Sequence, residues 1–214
     1  MFNFQKIVET CHVADFAEFE RKVNRLYKIL IEYNKNVNLT RITEYNDFLI
    51  KHVADSLIIA KFFPEIAEKK LKIADIGCGA GFPSLILAMA FPNLEVNAID
   101  SIGKKTKFVQ FAADELGLGN VKVITGRSKE MNFREEYKFK FDIVTARAVA
   151  KAEIIYQEAK NFPKRSGRFI LYKTPDQLAE DLPAIKKVDK QHAWKITEVY
   201  ELPADSGSRQ FLYY

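Results

Sequence analysis

From Leu71 onward the chain alternates between two kinds of apolar pattern, and that alternation allows few folds. Strand-like runs lie at Lys72–Ile76, Glu95–Asp100, Val121–Thr125, Phe141–Ala146 and Arg168–Tyr172. Helical spacing fills most gaps between them, at Pro83–Phe91, Lys104–Leu116, Ala152–Phe162 and Pro175–Lys187. Regular strand–helix succession predicts a doubly wound, mostly parallel α/β sheet. Pro83 and Pro175 suit the first turn of a helix, where no amide partner is lost. The last two runs, Trp194–Glu201 and Gln210–Tyr214, have only the Pro203–Ser208 turn between them. They predict an antiparallel hairpin at the sheet edge. Residues 1–70 form a separate helical extension to this domain of residues 71–214. Phe16, Phe19, Val23, Leu26, Tyr27, Leu30 and Ile31 recur at helical spacing. A polar break at Asn34–Thr43 precedes a second amphipathic helix over Asn46–Phe63, which Pro64 ends.

The first strand runs into Asp75-Ile76-Gly77-Cys78-Gly79-Ala80-Gly81-Phe82-Pro83. Its glycines alternate. A dinucleotide fingerprint needs G-x-G-x-x-G, and Phe82 occupies the place of the last glycine. Bare backbone at Gly77, Gly79 and Gly81 admits a bulky ligand at the carboxyl end of the strand. Asp100 closes the next strand, where a carboxylate accepts both ribose hydroxyls of an adenosine. Asp75 is placed to hold a cationic amino end, directly or through water. Two acids around a glycine loop, with no Gly-Lys-Ser/Thr for phosphate, point to S-adenosylmethionine. Backbone amides near Ser128 and Lys129, where the third strand ends, can reach an adenine edge. The bland alternatives are a tight strand–helix turn at the glycines and an exposed turn at Ser128 and Lys129.

Composition bounds the rest. The formal charge is +5, but between Ser101 and Lys173 sixteen Lys and Arg stand against eight Asp and Glu. That excess suits a polyanionic partner or, more simply, a solvated basic surface. Apolar runs such as Leu85–Phe91 are far shorter than the roughly 18 residues of a membrane span, and residues 1–10 lack a signal-peptide pattern. Cys11 and Cys78 make neither a disulfide framework nor, with three histidines, a metal spacing. A cytoplasmic monomer is expected, with no membrane partner.

Further motifs are Asn38-Leu39-Thr40, His52 with Asp55-Ser56-Leu57, Asp100-Ser101-Ile102-Gly103-Lys104-Lys105 and Gly126-Arg127. Ala146-Arg147-Ala148-Val149-Ala150, Tyr172-Lys173 and Arg209 follow. With the glycine loop closed by Phe82-Pro83, the chain from about Asn34 onward resembles the bacterial small-subunit ribosomal RNA guanine-N7 methyltransferases, also called glucose-inhibited division protein B. The resemblance implies a class I, Rossmann-like methyltransferase fold with an N-terminal helical extension. It implies S-adenosylmethionine as methyl donor and methylation of one guanine in the 530 loop of the RNA. It places cofactor contacts at Gly77, Phe82, Ser128, Lys129 and Arg147. Lys129 stands where the family more often carries an acid, so its backbone rather than its side chain would serve. Thr174 follows Lys173 where the family usually has glycine.

Guanine N7 carries a free lone pair and the sulfonium methyl is already activated, so placement matters more than a general base. No Asn/Asp-Pro-Pro-aromatic run for an exocyclic amine is present, and neither cysteine is placed as a nucleophile. Arg147, at the end of the fourth strand, is the principal catalytic candidate: its fork can hold guanine O6 or a neighbouring phosphate. Its substitution by alanine is expected to spare folding. Lys173 is the second candidate, for the RNA backbone. Arg209, Asn38, Thr40, Arg41 and His52 are candidate RNA contacts. The structural alternatives are an internal acid beside Arg147, a solvated Lys173, a helix-packing His52, caps at Asn38 and Thr40, and a helix-stapling Phe82. Competing functions are a small-molecule methyltransferase, an NAD-dependent oxidoreductase and a non-enzymatic RNA assembly protein. The basic middle segment argues against the first, the missing glycine against the second, and the intact acids against the third.

Overall fold

A computed structural model describes residues 3–214. The chain opens with α1 (Phe4–Thr10) and α2 (Phe16–Asn34). Each starts on a side-chain cap: Asn3 accepts from the Lys6 amide and Asp15 from the Glu18 amide. α2 buries Phe19, Val23, Leu26, Ile29 and Leu30 on one face, as its spacing predicts. The expected helix over Asn46–Phe63 is not a single α-helix. It begins as α3 (Tyr45–Phe48), widens into a π-helical stretch (Leu49–Ala54), and continues through α4 (Asp55–Leu57) and α5 (Ile59–Phe62). A π-helix inserts residues into the turn, and such turns often sit at functional sites. Pro64 then caps the short α6 (Glu65–Glu68).

The sheet follows the expected alternation closely. Its elements are β1 (Lys72–Ile76), α7 (Ser84–Ala90), β2 (Glu95–Asp100), α8 (Gly103–Glu115), β3 (Val121–Thr125) and α9 (Ser128–Met131). Next come β4 (Phe141–Arg147), α10 (Ala152–Ala159), β5 (Pro163–Lys173) and α11 (Pro175–Val188). Thr174 and Gln177 cap α11 reciprocally, with Pro175 in its first turn. Pro83 sits one residue before its helix, as the N-cap of α7.

The remaining strands are β6 (Lys195–Ile196), β7 (Tyr200–Glu201) and β8 (Ser208–Tyr213), and the sheet order is β3-β2-β1-β4-β5-β8-β6. β1 to β5 run parallel to one another, and β8 runs antiparallel to β5, β6 and β7. The expected Trp194–Glu201 strand is thus two short strands. Thr197 explains the break: its hydroxyl takes the Phe211 amide at 3.0 Å, and the Gln210 side chain takes its carbonyl at 2.8 Å. Side chains there make two of the bonds, while the Thr197 amide still donates to the Phe211 carbonyl at 3.1 Å. β5 starts five residues earlier than its apolar run, because the ladder slips between Phe141 and Ile143 and residues 164–167 bulge outward.

Strand side chains alternate between two faces. Ile73, Ile143 and Ile170 share one apolar cluster with the helices of residues 4–66, α7 and α8. Ala74, Val144 and Leu171 share another with α10 and α11. The N-terminal helices and the sheet are therefore joined by one continuous core. Among the described residues no helix is long and apolar enough to cross a membrane.

Candidate active site

β1 ends in a loop that only glycine tolerates at two points. Gly77 has φ +68° and a Cβ on it would lie 2.6 Å from a Val149 methyl. Gly81 has φ +85°, and a Cβ there would meet Leu85 at 2.5 Å. The Gly77 and Cys78 amides donate to the Ile99 carbonyl at 2.8 and 3.0 Å, so the loop is pinned to β2. Beside it, at the carboxyl ends of β1, β2 and β3, opens a cleft of about 600 Å³ lined by Gly77, Asp100, Ile102, Ser128, Lys129 and Val149 among others. That size suits a small-molecule cofactor.

Asp100 stands at the rim, nearly buried. Its two oxygens accept the Gly79 amide at 3.0 Å and the Ile102 amide at 2.8 Å. The carboxylate is thereby oriented, with lone pairs left over for ligand hydroxyls. The Ser128 hydroxyl donates to Glu158 at 2.9 Å, and Glu158 also lines the cleft. Lys129 is exposed at its edge. The structure thus brings Gly77, Asp100, Ser128 and Lys129 together. Gly79, Gly81 and Phe82 shape the loop from behind.

Direct contact with Asp75 does not fit this arrangement. Its side chain is fully buried under the loop. One oxygen accepts the Ser84 hydroxyl at 2.5 Å, while the other has no partner. Burial pushes its carboxyl up to about 7, against the pull of the Ser84 bond. An unpaired carboxylate oxygen beneath a cradle that a Cβ would fill suits a ligand with a cationic amino group and a ribose. The residues fit S-adenosylmethionine on these grounds.

Most of the RNA candidates do not lie open to solvent. Arg147 leaves β4 just before the cleft wall at Ala148 and Val149, but it turns inward. Its Nη1 donates to the Lys51 carbonyl and to Asp55 Oδ2, each at 2.9 Å. Arg209 clamps the same carboxylate, Nε to Oδ1 at 2.6 Å and Nη2 to Oδ2 at 2.8 Å. The internal acid weighed as the structural alternative for Arg147 is therefore present, as Asp55. Asp55 itself was visible only as part of a motif. The π-helical turn that carries Lys51 and His52 delivers all three groups to one point.

His52 is no general base. Its ring stacks on Phe82 at 4.2 Å and 1°, and its Nε2 lies 3.1 Å from the Thr40 hydroxyl. Burial, with the Arg147 guanidinium beside it, pushes it down to about 3. Thr40 also accepts the Ile42 amide, a local capping bond. Asn38 and Arg41 are exposed on the loop after α2, and Asn34 rather than Asn38 ties that loop, through Leu39 and Thr40.

Lys173 is not a solvated lysine. It is buried, 2.6 Å from Asp181 on α11, and donates to the Ala150 carbonyl at 2.9 Å. It anchors the 148–150 turn, in which Ala148 has φ 55° and Val149 covers Gly77. Its place is behind the cleft wall.

Comparison with known proteins agrees with this geometry. A family model described as rRNA small subunit methyltransferase G matches residues 19–209. The chain is 40% identical to Ribosomal RNA small subunit methyltransferase G of Mycoplasma capricolum, over 92% of this chain and 83% of that protein. It is 39% identical to the Streptococcus pyogenes protein of that name, over 98% and 88%. In fold it is similar to a SAM-dependent O-methyltransferase from Thermotoga maritima, with TM-score 0.58, 19% identity, and 86% and 70% of the two chains covered. Aeropyrum pernix fibrillarin, solved with natively bound S-adenosyl-L-methionine, gives TM-score 0.53 at 11% identity over 68% and 66%. The chain belongs to the rRNA small subunit methyltransferase G family, on the class I methyltransferase fold.

Proposed function

We propose that this chain transfers a methyl group from S-adenosylmethionine to N7 of one guanine in the 530 loop of small-subunit ribosomal RNA, acting as a cytoplasmic monomer. The cofactor, when bound, supplies an already electrophilic methyl group. The chain's own residues hold and orient. Gly77 lets backbone approach, Asp100 receives hydroxyls, and Asp75, buried under the loop, favours the cationic end without touching it directly. Ser128 and Lys129 border the adenine end. The helical extension of residues 1–70 serves the domain of residues 71–214 by carrying Lys51, His52 and Asp55 to Arg147, which precedes Ala148 of the cleft wall.

One observation carries the substrate reading: the charge of the Asp55 cluster. Two guanidiniums share one carboxylate, and His52 beside them is held neutral by burial. The cluster keeps one excess positive charge next to the wall of the cofactor cleft. Such a charge attracts guanine O6 or a phosphate. Arg147 is its catalytic member and Asp55 its positioning residue. N7 needs no proton removed, which suits a site whose histidine is neutral and already bonded.

The test is transfer of labelled methyl to small ribosomal subunits, naked small-subunit RNA and a metabolite extract. Borohydride–aniline scission should place one N7-methylguanine in the 530 loop. Label confined to metabolites would mark a small-molecule enzyme instead.

A further inference from the structure

A second cavity, of about 940 Å³, lies at the opposite end of the sheet, against the amino-terminal end of β5. Six residues of β5, Arg168 to Lys173, separate it from the cofactor cleft, roughly 20 Å along the strand. The bulge at residues 164–167 makes it. A Cβ on Gly167 would lie 2.6 Å from the Phe141 carbonyl and 2.9 Å from the Lys164 amide. Glycine there lets the chain fold tightly back and thrust Lys164 and Arg165 outward.

The lining is basic and aromatic. Lys160, Arg165 and Lys190 are exposed, and among the described residues no ion pair is made by any of them. Lys164 is neutralised by Asp142 at 2.8 Å. The lining acid, Asp189, is buried and spent on the Trp194 indole at 2.7 Å and His192 at 2.8 Å. His192 lies flat on Tyr214, centroids 3.8 Å apart and planes 14° apart. Across the opening Phe139 is 55% exposed with φ 57°. A bulky side chain in the left-handed region is a real outlier, and at that exposure no burial offsets it. Its amide is held to the Asn161 carbonyl at 2.7 Å, and the residue lines the groove with the Lys138 ammonium 5.5 Å from its ring centroid.

Unpaired cations interleaved with exposed ring faces are what single-stranded nucleic acid needs: phosphates meet the charges and bases stack on the rings. We propose that this groove is a second RNA-binding site, which holds a single-stranded segment of the substrate while another part occupies the methyl-transfer site. The occupant's identity as substrate RNA rests on the rRNA methyltransferase reading. Charge complementarity favours RNA, since the exposed charges of the groove are cations and its one lining acid, Asp189, is buried in hydrogen bonds.

The test uses the full chain carrying Lys160→Gln, Arg165→Gln and Lys190→Gln together, and separately Phe139→Ala. The probes are a labelled oligouridylate of about ten nucleotides and small ribosomal subunits. Three lost phosphate contacts should reduce the slope of log Kd against log salt by about 2. KM for subunits should rise about tenfold with kcat and S-adenosylmethionine affinity unchanged. Phe139→Ala should weaken oligouridylate binding about tenfold without altering the slope. Wild-type slope and KM in the triple variant overturn the proposal. So does a raised KM for small subunits with unchanged binding of oligouridylate, which would identify a protein partner. If the wild-type chain methylates no RNA, the function reading fails, and the oligouridylate data still decide the groove.

Discussion

Replacing Asp55 by alanine should be among the most damaging single changes outside the apolar core. Its carboxylate is 4% exposed and accepts three bonds from two guanidiniums, Arg147 at 10% and Arg209 at 16% exposure. Removing one partner of such a buried pair costs about 3–5 kcal/mol, because a charge is left without compensation. Here two like charges remain together, and only Arg147 keeps another acceptor, the Lys51 carbonyl. The upper half of that range is expected. In a chain of this length 1 kcal/mol moves Tm by roughly 2–4 °C, so Tm should fall by roughly 10–15 °C. Arg209→Ala leaves a one-to-one Arg147–Asp55 pair and should cost less, about 1–3 kcal/mol. The double variant should be less unstable than the sum, with coupling of about 1 kcal/mol or more. Urea unfolding followed by the fluorescence of Trp194, the one tryptophan and buried, measures all three. Arg209→Ala as costly as Asp55→Ala, or strict additivity, would refute the charge imbalance and with it the anion-binding role.

Three further outcomes follow from the cofactor cleft. Asp100→Ala removes both the expected hydroxyl acceptor and the anchor of the Gly79 and Ile102 amides, so S-adenosylmethionine affinity should drop about 100-fold, roughly two hydrogen bonds to a charged group; equal affinity by calorimetry sinks the ribose role. Gly77→Ala forces a Cβ into Val149 at φ +68°, costing about 1–2 kcal/mol in backbone alone and closing the cleft, which unfolding and binding assays would register separately. Asp75 gives a pH signature. Its carboxyl, near 3.8 ordinarily, sits at about 7 in the native chain. A cationic ligand end favours the carboxylate, so binding should release a proton, and affinity should fall as pH drops below about 7. The folding linkage has the opposite sign: a raised native value contributes stability that is full below about 4 and lost as pH rises through about 7. Calorimetry in buffers of different ionisation enthalpy checks the proton; identical heats would refute it.

Most of the sheet was legible because each strand's pattern is local. Lys72–Ile76, Glu95–Asp100 and Val121–Thr125 have the boundaries their apolar runs predict. The cleft was legible for the same reason, since Gly77, Asp100 and Ser128 lie at strand ends. What was not legible depends on partners far away in sequence. Asp55 meets Arg147 and Arg209 across 92 and 154 positions, and no local spacing announces that. Lys173 at a strand end looks solvated until α11 brings Asp181 over it. The π-helical turn escapes a 3.6-residue period because it departs from that period.

The order of the sheet also says when the molecule can become whole. β8 lies between β5 and β6, and its Arg209 closes the clamp on Asp55. On a ribosome the chain emerges amino end first. Asp55 and Arg147 can meet before Arg209 and the strand that covers β5 have emerged. A nascent chain therefore waits with one sheet edge open and its anion site half built. Until Arg209 is in place Asp55 is held by one guanidinium instead of two, and β5 lacks its antiparallel neighbour.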